Sequence, residues 1–178
     1  MRKLKNEELN RPGLEDYKEK EKHQVVLILD NVRSRNNVGS AFRTGDAFLI
    51  KEILLCGITA RPPHREIHKT ALGATDSVSW SYYESTIEAV QKMRDIGFTI
   101  VAVEQADEKI MLQNYKPEAG EKLAFVFGNE VWGVSDDVVM ASDFVLELPQ
   151  YGTKHSLNIS VTIGVVLWDV MNKMCLLK

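Results

Sequence analysis

Short apolar runs, each about the length of one strand, recur along the chain with amphipathic stretches between them. This alternation limits the fold more than any other feature of the sequence. The runs are "VVLILD" (25–30), "EILLCG" (52–57), "FTIVAVEQ" (98–105), "KLAFVFGNE" (122–130) and "FVLELPQ" (144–150). Near-continuous apolar strands need cover on both faces, and helices between them supply the crossovers of a parallel sheet. "SVSWSYY" (77–83) alternates like an exposed strand. Helices are predicted over 37–49, 64–72 and 85–97. The last of these has Ser85 or Thr86 as its cap, Ile87, Val90 and Met93 as its apolar stripe, and Gly97 as its stop. The expected class is α/β, a mostly parallel sheet flanked by helices. No internal repeat is apparent, and 178 residues fit one domain with a proper core.

The predicted helix that opens "NNVGSAFRTGDAF" poses a question. Asn36 or Asn37 would cap it, and Ala41, Phe42, Ala47 and Phe48 would be buried. Arg43 is left over. A cation near a helix N-terminus opposes the helix dipole and needs solvent or an anion. The last helix, predicted from Ser156, carries Ile159, Ile163, Val166, Val170 and Met174 at helical spacing. Its first half is built of small and β-branched residues, Ser160, Val161, Thr162 and Gly164. These suit close packing within the domain or against a second copy of the chain.

The net charge of −3 does not advertise nucleic-acid binding, so local patches matter more than the total. Arg33, Arg35 and Arg43 crowd one stretch, and Arg61, His64, Arg65, His68 and Lys69 form a second basic cluster. Either could be a solvated loop or could follow a phosphate backbone. Residues 1–23 are charged, of mixed sign and broken by "RPG". They read as a solvated arm ahead of a domain over 24–178. The chain has no secretory apolar region and no run of membrane-spanning length. Cys56 and Cys175 lie in apolar surroundings and are expected to be buried and reduced, as in a cytoplasmic protein. No metal-ligand spacing is present, and no metal is expected.

Polar, glycine-containing stretches follow three apolar runs: "NNVGSAFRTG", "GNEVWGVS" (128–135) and "PQYGTKHSLNIS" (149–160). Ligands of open α/β sheets bind outside the carboxyl ends of the strands. "GNEVWG" lacks the lysine of a phosphate loop, because Val134 and Ser135 stand where Lys-Ser/Thr is required. No G-x-G-x-x-G follows a strand, and no G-x-S-x-G elbow is present.

Taken in order, N-x-G-x-x-x-R (Asn37, Gly39, Arg43), G-N-E-x-x-G (Gly128 to Gly133) and S-L-N (Ser156 to Asn158) resemble the three motifs of the SpoU/TrmH-type RNA ribose methyltransferases of the SPOUT class. The resemblance covers about residue 24 to the C-terminus. "HKTALGATDSV" resembles the family's intervening segment more weakly. The resemblance implies a C-terminal deep trefoil knot, S-adenosylmethionine bound by the knot loops, and a homodimer paired through the first and last helices of the domain. It also implies methylation of a ribose 2′-hydroxyl in structured RNA, tRNA before rRNA.

By motif position, the expected catalytic residues are Arg43, Asn37, Glu130, Ser156 and Asn158. Arg43 would clamp a phosphate beside the target ribose, which accounts for its place in the helix. Asn37 would orient Arg43 or the ribose, and Glu130 would fix Asn37 or the arm of Arg43. Ser156 and Asn158 would line the pocket. Val103, Gly128, Leu148 and Leu157 would contact the cofactor. Trp132 would stack on a base or pack beneath the "GNE" turn. Arg33, Arg35, Arg61, Arg65 and Lys69 are the candidate RNA contacts. The rival readings are a non-catalytic RNA-binding member of the same fold and a small-molecule nucleotide enzyme using the same crevice.

Overall fold

The computed structural model describes residues 1–177. Its strands are β1 (His23–Asp30), β2 (Ile50–Cys56), β3 (Trp80–Tyr83), β4 (Thr99–Val103), β5 (Ile110–Met111), β6 (Leu123–Phe127) and β7 (Phe144–Glu147). They form one sheet in the order β3-β2-β1-β6-β4-β7-β5, and every pairing within it is parallel. The helices are α1 (Leu14–Glu19), α2 (Arg35–Ala47), α3 (Arg65–Ala71), α4 (Ala74–Ser77), α5 (Thr86–Asp95), α6 (Asp136–Ala141) and α7 (Ile159–Lys173).

Alternation along each strand sorts side chains into two apolar layers. Val25, Leu27 and Leu29 of β1, with Phe125 and Phe127 of β6, face α2, α3, α4 and α7. Val26 and Ile28, with Ala102 of β4 and Ala124 of β6, face α5 and α6. The central strands are therefore buried on both sides, as their unbroken apolar runs require. From β1 the chain builds outward to β3 on one side. It then crosses to β4 and later inserts β6 between β1 and β4. That reversal places the C-terminal ends of β1, β6, β4 and β7 side by side, the position at which open parallel sheets bind ligands.

Several element boundaries differ from expectation. Ser34, not Asn36 or Asn37, caps α2, its side-chain oxygen accepting from the Asn37 N–H at 3.3 Å. Ala41 and Phe42 are buried, but Ala47 is exposed and Phe48 only half-buried. Neither Ser85 nor Thr86 caps α5 through its side chain, because the Thr86 hydroxyl donates to the buried Asp30 at 2.5 Å. The last helix starts at Ile159, not Ser156, with Asn158 as a cap that accepts from Ser160 N–H at 2.9 Å. The short elements β5 and α6 carry too few residues to show a period in the sequence.

Cys56 is buried, and burial pushes its thiol up to about 12. Cys175, expected to be buried, is exposed. It follows the end of α7 at a φ of 57° and turns away from the core. The N-terminal segment is not wholly solvated either, since Tyr17 of α1 is buried and α1 packs on α4. No described helix is long and apolar enough to cross a membrane.

Candidate active site

Asp30, at the carboxyl end of β1, is fully buried. Its carboxylate accepts from Asn31 Nδ2 at 2.9 Å, Thr86 Oγ1 at 2.5 Å, Ser135 N at 2.8 Å and Ser135 Oγ at 2.7 Å. A buried carboxylate needs such partners. Here they tie the end of β1 to α5 and to the loop that follows β6. Asn129 Nδ2 adds a second tie, donating to the Asn31 carbonyl at 2.8 Å.

The loop 128–135 closes on itself. Asn129 and Gly133 exchange backbone hydrogen bonds at 2.8 and 2.9 Å, and a Cβ on Gly128 would lie 2.0 Å from the Gly133 carbonyl carbon. Glycine at 128 is therefore required for the loop to close. Glu104, just beyond β4, accepts from Val134 N at 2.9 Å and from Gln105 N at 2.8 Å. Gln105 in turn donates through its side chain to the His155 carbonyl, holding the segment 150–158 against the end of β4.

These ties bring Glu130, Asn37 and Asn158 together. Glu130 Oε1 accepts from Ser34 N and Asn37 Nδ2, and Oε2 accepts from Arg33 N, each at 2.9 Å. Asn37 Oδ1 accepts from Asn158 Nδ2 at 3.3 Å. One hydrogen-bonded chain thus joins the three polar loops. Burial by itself would push the Glu130 carboxyl up. The donors from Arg33, Asn37 and Ser34 outweigh burial and hold it below its usual value. Asn37 is buried, so its amide has a fixed orientation.

A cleft of about 550 Å3 opens beside this chain at the ends of β6, β4 and β7. Glu130, Ser156, Asn158, Val103, Gly128, Leu148 and Leu157 all line it, as does Trp132 at its rim. The lining includes Glu104, Glu130 and Glu147 but no lysine or arginine. Glu104, Gln105 and Gln150, which were not singled out in the sequence, also line it, as do His155 and Thr162. The signal for Asp30 was available there, as a lone carboxylate ending an apolar strand.

Other expected residues lie elsewhere. Arg43 is exposed on α2 and is not among the residues lining the cleft of its own chain. Glu130 therefore fixes Asn37 and not Arg43. Trp132 does not pack beneath the turn, since it is 84% exposed. Arg33 and Arg35 are exposed at the start of α2, and Arg35 pairs with Glu66 at 3.3 Å. Arg61 lies over the Tyr82 ring at 4.2 Å, while Arg65 and Lys69 project from α3 into solvent.

The sequence model of the SpoU rRNA Methylase family matches residues 24–168. The chain belongs to this family. A tRNA (guanosine(18)-2'-O)-methyltransferase of Borreliella burgdorferi is 25% identical over 150 residues, covering 84% of this chain and 67% of that protein. A Staphylococcus aureus (strain MSSA476) protein that bears the name of a TrmH family tRNA/rRNA methyltransferase is 30% identical over 160 residues. That match covers 90% of this chain and 63% of its relative, so the chain spans less than two thirds of the staphylococcal protein. The crystal structure of the SpoU methyltransferase AviRb from Streptomyces viridochromogenes, in complex with AdoMet, shares the fold. Its TM-score is 0.77 at 18% identity, covering 90% of this chain and 64% of that one. In this SpoU chain the three motif loops are the three loops that the Glu130–Asn37–Asn158 hydrogen bonds connect.

Proposed function

We propose that the chain transfers a methyl group from S-adenosylmethionine to a ribose 2′-hydroxyl of a structured RNA, tRNA before rRNA. The observation that carries this reading is the Glu130–Asn37–Asn158 chain at the mouth of the 550 Å3 cleft. The cleft's residues fit the cofactor. Val103, Leu146, Leu148, Leu157 and Ile159 offer apolar cover for an adenosine. Glu104 and Glu130, with no lysine or arginine in the lining, suit a sulfonium cation, while Glu147 is paired with Lys109 at 3.5 Å. The relatives named as RNA methyltransferases, and the AdoMet complex of AviRb, support the same assignment.

When bound, the cofactor supplies a methyl carbon already activated by a positive sulfur. Transfer would join the 2′-oxygen to that carbon, with the carbon–sulfur electron pair going to sulfur and the hydroxyl proton to solvent water. Glu130 fixes the buried Asn37, which does not line the cleft, and Asn37 in turn holds the Asn158 amide at the cleft wall, where it orients the ribose. Arg43 holds the adjoining phosphate and stabilises the forming alkoxide. That role needs no deprotonation of a guanidinium. Ser156 completes the polar rim.

Arg43 does not line the cleft of its own chain, and in this reading it serves the site of a second copy. The helix α2 that carries it packs on α7, whose outer face leaves Val161, Val165 and Trp168 exposed. A homodimer through these helices belongs to this proposal. So do a C-terminal trefoil knot, one of the rare exceptions to unthreaded topology, and a cytoplasmic setting.

The test is incubation of the purified protein with methyl-labelled S-adenosylmethionine and separate tRNA and rRNA pools. The expected product is 2′-O-methylribose in the tRNA pool, with the rate falling about 10²-fold in Arg43→Ala. Label confined to rRNA would move the substrate class. No label with no cofactor binding would overturn the reading and leave an RNA-binding module.

A further inference from the structure

A second cleft, about 400 Å3, adjoins the first over the ends of β1, β2 and β6. Arg33, Ile58 and Trp132 line it, together with the amides of Asn31 and Asn129. The amides are already committed. Asn31 donates to Asp30 at 2.9 Å and accepts from Ile58 N at 3.2 Å. Asn129 accepts from Val131 N at 2.9 Å and Trp132 N at 3.3 Å, and donates to the Asn31 carbonyl at 2.8 Å. They fix the walls and have little capacity left to read a ligand's edge.

The groups left open are an indole that is 84% exposed, an isoleucine that is 66% exposed, and a guanidinium with no hydrogen bond or ion pair among the described residues. An exposed tryptophan beside an exposed isoleucine has no folding rationale in this chain. The two clefts also differ in sign. The first is lined by three carboxylates and no lysine or arginine, the second by one arginine and no carboxylate.

We propose that the second cleft holds a nucleobase of the RNA strand, stacked on Trp132 against Ile58, with Arg33 on its phosphate. The proposal rests on the methyltransferase reading and adds to it the place of a nucleotide next to the reacting ribose. An anionic strand is repelled by the glutamate-lined cleft and drawn to the arginine-lined one, so cofactor and RNA sort themselves by charge. Stacking beside wall amides whose oxygens are taken and that keep one N–H each makes the subsite tolerant of base identity, because every base has a π-face. Trp132 stands at the border of both clefts, where a stacked base would set the approach of its neighbouring ribose.

The test compares wild type with Trp132→Ala, Trp132→Phe and Ile58→Ser, using unfractionated tRNA and rRNA as probes. RNA affinity is measured by filter retention, the RNA KM at saturating cofactor, and S-adenosylmethionine affinity by calorimetry. Trp132→Ala is expected to weaken RNA binding and raise the RNA KM about 5- to 100-fold. Trp132→Phe should recover most of that loss, and Ile58→Ser should move the RNA KM in the same direction. Cofactor affinity should stay within about two-fold in Ile58→Ser, which lines the second cleft only, and should fall less than RNA affinity in the Trp132 variants, because Trp132 also stands at the rim of the first cleft.

An unchanged RNA affinity and KM in Trp132→Ala would overturn the proposal. So would a loss confined to cofactor affinity, which would make Trp132 a wall of the first cleft. If wild type binds no cofactor and transfers no methyl group, the methyltransferase reading fails on its own. Filter retention with the same variants still decides whether Trp132 holds RNA.

Discussion

Glu130 shows how one carboxylate can set the shape of a site. It receives two backbone donors and one side-chain donor from the start of α2, and its charge makes each bond stronger than a neutral one. Glu130→Gln keeps an acceptor oxygen but loses the charge, and is expected to cost about 1 kcal/mol once solvent screening is allowed for. The cost has a pH signature. A carboxyl held below its usual value of 4.5 stabilises the fold above that pH, and loses this contribution as pH falls through the lower folded value. Thermal unfolding of both proteins should therefore show a gap at pH 7 that closes as the pH falls through the lowered folded value of the carboxyl. The two cysteines give a second test. Burial with a thiol pushed up to about 12 should protect Cys56, while exposed Cys175 reacts. A thiol reagent should label one cysteine in the native protein and both after unfolding. At this scale the family resemblance pointed to Asn37, Glu130 and Asn158, which the structure joins by hydrogen bonds. The sequence could not show that Glu130 reaches Asn37 and not Arg43, because that depends on where two loops meet.

Helix α2 shows what governs an element. Its buried face carries Val38, Ala41 and Phe42, but Gly39 decides how close α3 can come. A Cβ at 39 would lie 2.1 Å from Thr70 Oγ1 and 2.3 Å from the Ile67 carbonyl oxygen. In an isolated helix Gly→Ala gains about 1 kcal/mol. Here Gly39→Ala is expected to lose about 1–3 kcal/mol, because the obstacle includes backbone. A urea midpoint that moves down confirms the close crossing, and one that moves up refutes it. The period of α2 was legible, yet its start was not. The sequence offers Asn36 or Asn37 as the cap, and the turn out of β1 puts Ser34 there instead. The helix α6 and strand β5 were illegible for a simpler reason: six and two residues are too few to reveal a period.

For the whole molecule, the open question is the outward face of α7. Val161, Val165 and Trp168 remain exposed on a helix whose other face is core. Val165→Glu should leave the fold intact, because residue 165 is exposed. In the proposed dimer it should shift sedimentation from twice the 20.1 kDa chain mass towards a single chain. Methyl transfer should fall with it, since Arg43 would then have no partner site. Mixing inactive Arg43→Ala with an inactive Asn37→Ala chain should restore part of the activity if the site is shared between copies. The apolar runs and their spacing determined the α/β class, because only a sheet covered on both faces can bury strands that are apolar on both sides. The motif order determined the family. Only the tertiary structure decided the strand order, the cap of α2, the exposure of Cys175 and Trp132, and the pairing of Glu130 with Asn37. The meeting of the loops in particular depends on contacts between residues about 100 positions apart, such as Asp30 with Ser135 and Asn37 with Asn158. A local pattern carries the periodicity of its own element. It does not carry the position of the element that will cover it.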